Sequence, residues 1–341
     1  MHEVTEHSPL HPFSYSGRFA NLGNSCADDQ LRMKLIDVTR QFKSDDDCLD
    51  YIEKMRWPNG EYGCVHCGEV GRVSKITRES KSKNQRARLF QCLACGKQFS
   101  ATSGTIFNDT HLPLTKWFMA IAMICEAKKG MSALQLQRHL GVNYRTAWHL
   151  CHRIREAMQE GGMLSGIVEV DETYLTPQKP RKGRPYVRKD KEDLVLGIRE
   201  RGGRLRLLPI ADAKMVNIEP AMLKHISPDA TIHTDESAVY HIIGKRHWGG
   251  RHRTINHKSS YAIGDLHTNT VENAFSLLKR GVYGTFHKVS IKQLGRYCNE
   301  FSYRFNRRGM QLQMFDSTLK NLTRGEVLSY KKLTAKKESD F

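Results

Sequence analysis

The chain has 341 residues, of which 39% are hydrophobic and 26% are charged, a composition typical of a globular protein with two or three domains. Its 54 Lys and Arg residues against 36 Asp and Glu residues give a net charge of +18 with the histidines neutral, which favours a polyanionic partner such as nucleic acid. The longest apolar run, residues 118–125, is too short to span a membrane, and residues 1–7 have neither the basic nor the apolar region of a secretory signal. We therefore expect an intracellular protein with no membrane segment.

The N-terminal region is polar and rich in histidine. Residues 1–43 show little periodicity, and we predict a poorly ordered extension to which we attach no function. Ser44 then has the character of a helix N-cap with Asp47 at the third helical position, and this helix should end before the turn sequence Pro58-Asn59-Gly60. Two short strand-like runs follow, at residues 71–77 and 86–91.

Four of the nine cysteines form two C-x-x-C pairs, Cys64 with Cys67 and Cys92 with Cys95, with 24 residues between the pairs. A glycine directly follows each pair, so the chain can turn and bring backbone N–H groups toward the thiolates. Tetrahedral zinc needs four ligands of this kind, and chance placement of the cysteines is the weaker alternative. We predict a zinc ribbon with its leading helix over residues 44–108, holding one structural Zn²⁺ in a reducing compartment.

The segment between the cysteine pairs is strongly basic. Residues 71–91 contain seven Lys and Arg residues and one acid, Glu79. A charge run of this kind is usually a solvated face, but on a ribbon organised by a metal it is also a surface that can bind phosphates. We favour contact with DNA, and the candidate contacts are Arg72, Lys75, Arg86 and Arg88.

Three helical segments are predicted over residues 112–160. The first covers residues 114–127, the second begins after Ser132 and ends near Gly141, and the third begins after Asn143. Two helices joined by a tight glycine turn after a preceding helix are typical of a helix-turn-helix DNA-binding unit, although an ordinary αα-hairpin fits the periodicity almost as well. The third helix should expose Tyr144, Arg145, His149 and His152 toward DNA.

The pattern changes at Gly161 and Gly162, after which strands and helices are interspersed. Three strands, a helix, two further strands and then helices predict a mixed α/β domain over residues 164–310. Residues 311–341 are interpreted as a basic tail, solvated after Leu328. The predicted strands cover residues 166–175, 194–199, 204–211, 230–234 and 252–256, and the predicted helices cover residues 218–226 and the region from 270 onward.

Three acidic residues in this domain stand out. Asp171 and Asp235 lie in predicted strands with 63 residues between them, and Glu272 lies in a predicted helix after 36 more. Each has an ordinary structural explanation, as an edge charge, a turn cap or a capping partner. Together they suit a two-metal phosphoryl-transfer site, because two Mg²⁺ ions about 3.5–4 Å apart need one bridging carboxylate and one more each. Lys279, two helical turns after Glu272, projects from the same side and is suited to anchoring a phosphate.

With these motifs the chain resembles the DDE transposases of bacterial insertion sequences, in the subgroup with an N-terminal zinc ribbon and a ribonuclease-H-like core. The resemblance covers residues 45–310 approximately, and its motifs are together highly specific. They are Trp57-Pro58-Asn59-Gly60, Phe99-Ser100, Gly104-Thr105-Ile106-Phe107, Val170-Asp171-Glu172-Thr173-Tyr174, His233-Thr234-Asp235, His267-Thr268-Asn269-Thr270-Val271-Glu272, Leu278-Lys279-Arg280-Gly281, Gly284-Thr285-Phe286-His287 and Glu300-Phe301-Ser302-Tyr303-Arg304-Phe305-Asn306-Arg307-Arg308.

The resemblance implies that Asp171, Asp235 and Glu272 are catalytic metal ligands, that Lys279 assists them, and that each active site holds two Mg²⁺ or Mn²⁺ ions. Some members carry Asn at the third acid, and this chain keeps Glu272, so it looks catalytically intact. The resemblance further implies an enzyme that binds the terminal inverted repeats of its element, cleaves and joins double-stranded DNA, and acts as a homo-oligomer, at least a dimer. A cytoplasmic protein associated with the bacterial nucleoid is expected on the same grounds.

Two questions stay open at the level of sequence. The basic segment 179–191 follows the first acidic strand, and its Arg181, Lys182 and Arg184 either grip DNA or belong to a mobile surface loop. A chain with these N-terminal modules could also be a non-catalytic DNA-binding regulator, which would not need three carboxylates at these positions. A nuclease or resolvase that cuts without joining would have the same active site as a transposase.

Overall fold

The computed structural model describes residues 33–76, 88–175, 193–255, 267–325 and 327–335, which belong to one compact unit. None of the helices in these ranges is long and apolar enough to cross a membrane. The helices are α1 (Leu35–Gln41), α2 (Asp45–Arg56), α3 (Leu114–Glu126), α4 (Ala133–Leu140), α5 (Tyr144–Ala157), α6 (Met215–His225), α7 (Ala238–His247), α8 (Asn269–Gly281), α9 (Ile291–Asn306), α10 (Met314–Arg324) and α11 (Tyr330–Thr334). The strands are β1 (Val73–Lys75), β2 (Leu89–Cys92), β3 (Gln98–Ser100), β4 (Ile167–Tyr174), β5 (Leu194–Glu200), β6 (Leu205–Ile210), β7 (Thr231–Asp235) and β8 (His252–Ile255).

One hydrophobic core is formed by helices, most of them from the N-terminal half of the chain. Helix α3 lies at its centre, because most of its side chains are apolar and buried, among them Trp117, Phe118 and Ile121. Helices α1, α2, α4, α5 and α10 contribute buried residues to the same core. The helices predicted over residues 112–160 are therefore present, with Ser132 and Asn143 accepting the capping bonds from Gln135 and Thr146.

The ends of the described chain differ from the sequence prediction. The predicted extension 1–43 includes α1, which buries Val38 together with the flanking Met33 and Phe42 in the helical core. The predicted tail 311–341 includes α10, which buries Phe315 and Leu319 in that core. Both helices are short and carry few apolar residues, so their order comes from tertiary packing, which their local sequence does not reveal.

A small antiparallel sheet follows α2. Its strand order is β1-β2-β3, and Phe90 of β2 lies opposite Phe99 of β3, with ring centroids 5.5 Å apart. Trp57, at the end of α2, packs edge-on against Phe90 at 5.2 Å. The sheet therefore has a minimal aromatic core, and the cysteines lie beside it.

The main sheet has the strand order β6-β5-β4-β7-β8, with β4, β5 and β6 antiparallel and β7 and β8 parallel to β4. The prediction of a mixed α/β domain is confirmed. Along the central strand β4 the side chains alternate, so that Val168 and Val170 join the core under α6 and α7. Helices α8 and α9 pack on the opposite face, where Val195 and Leu205 meet Phe275.

The helical and α/β regions are joined directly. Arg155 of α5 donates to the Glu300 carboxylate of α9 at 2.6 Å, and both side chains are only 1% exposed. Arg304, one turn further along α9, donates to the backbone carbonyl oxygens of Ala127 and Lys128 beyond α3. A buried charge that is paired and hydrogen-bonded on several sides holds its elements in one relative position. The predicted helix-turn-helix segment is thus fixed to the α/β region rather than separated from it by a linker.

Candidate active site and zinc centre

The four predicted zinc ligands lie together. The Sγ atoms of Cys64 and Cys95 are 3.8 Å apart, those of Cys67 and Cys92 are 3.7 Å apart, and all four lie within 4.8 Å of one another. Four thiolates around a tetrahedral zinc with bonds of about 2.3 Å stand about 3.8 Å apart, so the four sulfurs fit one zinc ion. The turn after each pair is made by a glycine with positive φ, Gly68 or Gly96, which a side chain would strain.

The basic face of the ribbon is partly neutralised by α2. Lys75 donates to Glu53 at 3.0 Å, and Arg88 pairs with Asp50 and, at 3.4 Å, with Asp46. Two of the predicted DNA contacts therefore also connect the ribbon with α2, an arrangement that the charge count alone does not reveal, and their contact with DNA stays a prediction. Arg72 is exposed, whereas Arg86 lies outside the described residues.

The exposed face predicted for α5 is only partly exposed. Tyr144 is 52% exposed, but the Arg145 guanidinium lies over the Tyr330 ring at 5.5 Å and the His149 ring lies 5.6 Å from it. His149 Nε2 is also 3.4 Å from the carbonyl oxygen of Leu328, and burial lowers the pKa of His149. The segment predicted to be a solvated tail therefore covers part of this helix, through α11 and the residues just before it.

His152 was also predicted on the exposed face of α5, and this is wrong. Its side chain is fully buried between the rings of Trp148 and Tyr297, at 4.5 and 5.6 Å. Burial, together with the neighbouring positive charge of Arg155, lowers the pKa of His152 to about 3. The error arises because α9 packs on this side of α5, a contact with a segment far away in sequence.

The three predicted acids lie on neighbouring elements, Asp171 on β4, Asp235 at the end of β7 and Glu272 in the first turn of α8, and the charges of the last two act on Asp171. The parallel register pairs Ile167 with Thr231 and Glu169 with His233, and Asp171 and Asp235 each follow the last of these pairs by two residues. Asp171, Glu272 and Lys279 line a common cavity of about 440 Å³ beside α8. Thr173, Phe275, Ser276, Arg280 and Tyr283 complete its lining.

The electrostatics of this site follow from the crowding of carboxylates. Burial and, after it, the negative charges of Glu172, Asp235 and Glu272 together raise the pKa of Asp171 to about 7. Burial also raises the pKa of Glu172, which points to the other face of the sheet and accepts a hydrogen bond from Tyr240. A group of hard oxygen donors that repel one another has the chemistry that Mg²⁺ or Mn²⁺ ligation requires.

Each acid also makes a local hydrogen bond of the kind that a purely structural role would give. Asp235 accepts from the backbone N–H of Ser237 at 3.0 Å, and Glu272 accepts from the hydroxyl of Thr268 at 2.9 Å. In the described residues the four cysteines are the one group of three or more metal-ligating side chains close enough to share a single ion. Asp171, Asp235 and Glu272 do not form so tight a group.

Two residues that help to build this site were missed at the level of sequence. Gly197 of β5 lies opposite Asp171, and a Cβ placed on it would come within 2.5 Å of the Phe275 ring and 2.7 Å of Val271. A glycine here lets α8 approach the sheet closely, and a glycine inside a strand is the signal that could have revealed it. Glu169, two residues before Asp171, is completely buried and binds the start of α8.

The comparisons with known proteins agree with this arrangement. A profile described as the ISXO2-like transposase domain matches residues 163–306, and one described as the transposase zinc-ribbon domain matches residues 43–98, together more than half of the chain. The chain belongs to the insertion-sequence transposases of the IS1595 family. An uncharacterized protein in transposable element ISH50 of Halobacterium salinarum is 26% identical over 284 residues, which cover 78% of this chain and 92% of that protein. No solved structure matches the chain.

The matched regions contain the two candidate centres. The transposase domain includes all three acids and Lys279, and the zinc-ribbon domain includes all four cysteines. Residues 99–162, with the predicted helix-turn-helix, lie between the two matches. The basic residues Arg181, Lys182 and Arg184 fall within the transposase domain but outside the described residues, so their predicted contact with DNA stays a prediction.

Proposed function

We propose that the protein is a DDE transposase that binds the terminal inverted repeats of its insertion sequence and catalyses metal-dependent strand cleavage and strand transfer. The observation that carries the proposal is that Asp171, Glu272 and Lys279 line one cavity, with Asp235 at the end of the adjacent strand β7. The matched transposase domain supports the assignment. The strand order, with three antiparallel strands followed by two parallel ones, supports a ribonuclease-H-like core.

In this proposal Asp171, Asp235 and Glu272 bind two Mg²⁺ or Mn²⁺ ions. When bound, the ions would lower the pKa of water and neutralise charge at the phosphate. Asp171 and Asp235, which follow the paired parts of β4 and β7, would hold the ions, and the ions would supply the positive charge that orients the reacting phosphodiester. Lys279, two turns after Glu272 on α8, binds a phosphate oxygen next to the ions. Water attacks the phosphodiester first, which frees a 3′-hydroxyl and leaves a 5′-phosphate; the 3′-hydroxyl then attacks a target phosphodiester in line and displaces the 3′-hydroxyl of the target strand.

The zinc ribbon and the α4–α5 pair are the proposed DNA-binding elements. The structural Zn²⁺ holds the ribbon together, and Arg72 offers an exposed positive charge on it. On α5, Tyr144 and Arg145 lie near the helix N-terminus, which is the end that recognition helices direct toward base edges. Because two element ends are cut together, we propose that the protein acts on DNA in the nucleoid as a dimer or larger homo-oligomer.

The test is cleavage and joining on a plasmid that carries the gene with its native flanks. The wild-type protein is compared with Asp171→Asn and Glu272→Gln in Mg²⁺ or Mn²⁺, and Glu236→Gln serves as a matched control because Glu236 is an exposed acid next to Asp235. We expect metal-dependent nicking at the flank boundaries, and joined products, with the wild type and the control only.

Other outcomes identify the alternatives. Binding of the flanks without any cleavage would indicate a non-catalytic DNA-binding regulator. Cleavage without joining would indicate a nuclease or resolvase. If Asp171→Asn and Glu272→Gln cut as well as the wild type, the assignment of the acids is wrong.

A further inference from the structure

We propose that Glu169 is a positioning residue for the active site: its buried carboxylate holds the first turn of α8 against β4 and thereby sets Glu272 relative to Asp171. This inference rests on the proposed function of these acids. It concerns how the site is assembled, because Glu169 itself does not line the active-site cavity.

The carboxylate of Glu169 is completely buried and binds the start of a helix that is distant in sequence. One oxygen, Oε2, accepts from the backbone N–H groups of Thr270 at 2.9 Å and Val271 at 3.1 Å, and from the Thr270 hydroxyl at 2.7 Å. These N–H groups lie in the first turn of α8 and have no partner within the helix. The N-cap residue Thr268 makes no side-chain capping bond, and its hydroxyl donates to Glu272. Helix α8 is thus capped by strand β4.

The second oxygen of Glu169 is fixed from the opposite side. Oε1 accepts from Arg201 Nε at 3.0 Å and Nη2 at 2.8 Å, and His267 Nδ1 lies 3.2 Å away. Arg201 follows β5 at the turn into β6, so the carboxylate connects that turn, β4 and α8. A buried carboxylate is stable only when it is paired and hydrogen-bonded, and both conditions are met here. The positive end of the α8 dipole adds to the stabilisation.

The position of this contact ties it to the catalytic geometry. Glu169 and Asp171 lie on the same face of β4, two residues or about 6.7 Å apart along the strand. Val271, which donates to Glu169, directly precedes Glu272. The contact between Glu169 and α8 therefore links the proposed metal ligands Asp171 and Glu272 through two residues of β4 and one residue of α8. A displacement of the first turn of α8 would move Glu272 directly.

A merely structural role would lower stability without changing the metal site, so the experiment compares matched variants. In Glu169→Gln the side-chain NH₂ group must face a donor, because N–H groups of α8 bind one oxygen of Glu169 and the Arg201 guanidinium binds the other. Its control is Glu300→Gln, which disrupts the equally buried pair of Glu300 on α9 with Arg155 on α5. In Thr270→Val one hydroxyl donor is lost and the size is kept. Its control is Thr318→Val, a buried threonine of α10 that donates to the Tyr303 hydroxyl.

Two measurements are made on the full chain with its structural zinc. Amide hydrogen exchange of residues 268–275, without added Mn²⁺, reports on the first turn of α8. Titration with Mn²⁺ alone, followed by electron paramagnetic resonance, reports on the metal site. We expect Glu169→Gln to speed the exchange and to weaken Mn²⁺ binding by about 10–100-fold, the usual effect of removing a group that orients a metal ligand. Thr270→Val should weaken it by less, about 3-fold, and the two control variants should leave both measurements unchanged.

The outcomes separate this proposal from the one on which it rests. If folded Glu169→Gln and Thr270→Val bind Mn²⁺ with wild-type affinity, the positioning role is wrong; should Glu169→Gln fail to fold, Thr270→Val alone decides. If the controls weaken Mn²⁺ binding equally, the effect is general instability and the proposal is overturned. If Mn²⁺ binding by the protein does not depend on Asp171, the proposed function is wrong. In that case amide hydrogen exchange still tests the positioning role by itself: unchanged exchange of residues 268–275 in Glu169→Gln would show that Glu169 does not hold the first turn of α8.

Discussion

Replacing Gly197 by alanine tests whether the close approach of α8 to the sheet sets the active-site geometry. An added Cβ would lie 2.5 Å from Phe275 Cζ and 2.7 Å from Val271 Cγ2, whereas carbon atoms in contact lie about 3.5–4.0 Å apart. Both neighbours belong to α8, so relief requires the helix to move outward by about 1 Å or the ring to leave its rotamer. The strand backbone itself tolerates alanine, because φ at Gly197 is not positive.

The expected magnitudes follow from that displacement. Overpacking of this kind lowers the free energy of unfolding by about 1–3 kcal/mol. A shift of about 1 Å between Glu272 and Asp171 should lower the cleavage rate by about 100-fold, which is more than the loss of stability alone would cause at a temperature where the protein stays folded.

The assay is plasmid nicking in Mg²⁺ together with thermal unfolding. Gly309→Ala serves as the control, because a Cβ there would contact nothing within 4 Å. Adding Phe275→Leu to the Gly197→Ala variant removes the ring edge and should restore part of the rate. The reasoning would be refuted if Gly197→Ala cleaved at the wild-type rate, or if Phe275→Leu did not restore any of the cleavage rate that Gly197→Ala had lost.

Three further predictions follow from the same structure. Cys92→Ser should reduce the zinc content from about one ion per chain to none and unfold the ribbon, while Mn²⁺ binding that depends on Asp171 persists; zinc analysis and limited proteolysis check this. The raised pKa of Asp171, about 7 against an ordinary 3.8, means that the folded protein without Mn²⁺ binds more protons than the unfolded chain between these values. The contribution of Asp171 to stability should therefore be lost as the pH rises through this window, so the free energy of unfolding of the wild type relative to Asp171→Asn should fall over it, and Mn²⁺ affinity should rise over the same range; a difference between the two proteins that does not change with pH would contradict the raised pKa. Arg72→Ala should weaken DNA binding and reduce the salt slope by about 0.9, whereas Lys75→Ala, already paired with Glu53, should change both less; the reverse order in salt-dependent binding curves would show that the assignment is wrong.

The alternation of side chains along β4 and the zinc site of the two C-x-x-C pairs could be predicted from the sequence, because both are local patterns with a fixed geometry. Two C-x-x-C pairs, each followed by a glycine, constrain the thiolates whatever surrounds them, and the four sulfurs lie where tetrahedral zinc needs them. Strand and helix periodicity likewise located the elements that carry Asp171 and Glu272. These features depend on residues at most a few positions apart.

The contacts that were missed all join segments far apart in the chain. The pairing of Lys75 and Arg88 with acids was not foreseen because those acids lie on α2, and the burial of His152 was not foreseen because α9, about 145 residues further on, covers it. Helix α1 was missed, and α10, in a region predicted to be helical, was assigned to a basic tail, because a short segment is buried only by the core that it completes.

The sequence by itself determined the ligand types, the zinc ribbon and the strands and helix on which the three acids lie, because residue chemistry and short-range periodicity are local properties. Only the tertiary structure decided how these elements meet. Parallel pairing set the strand of Asp171 beside that of Asp235, the missing side chain at Gly197 let α8 approach, and the buried carboxylate of Glu169 fixed the helix in place. Such positions depend on the packing of distant segments, since a buried charge or a void is favourable or costly only in the presence of the groups that surround it.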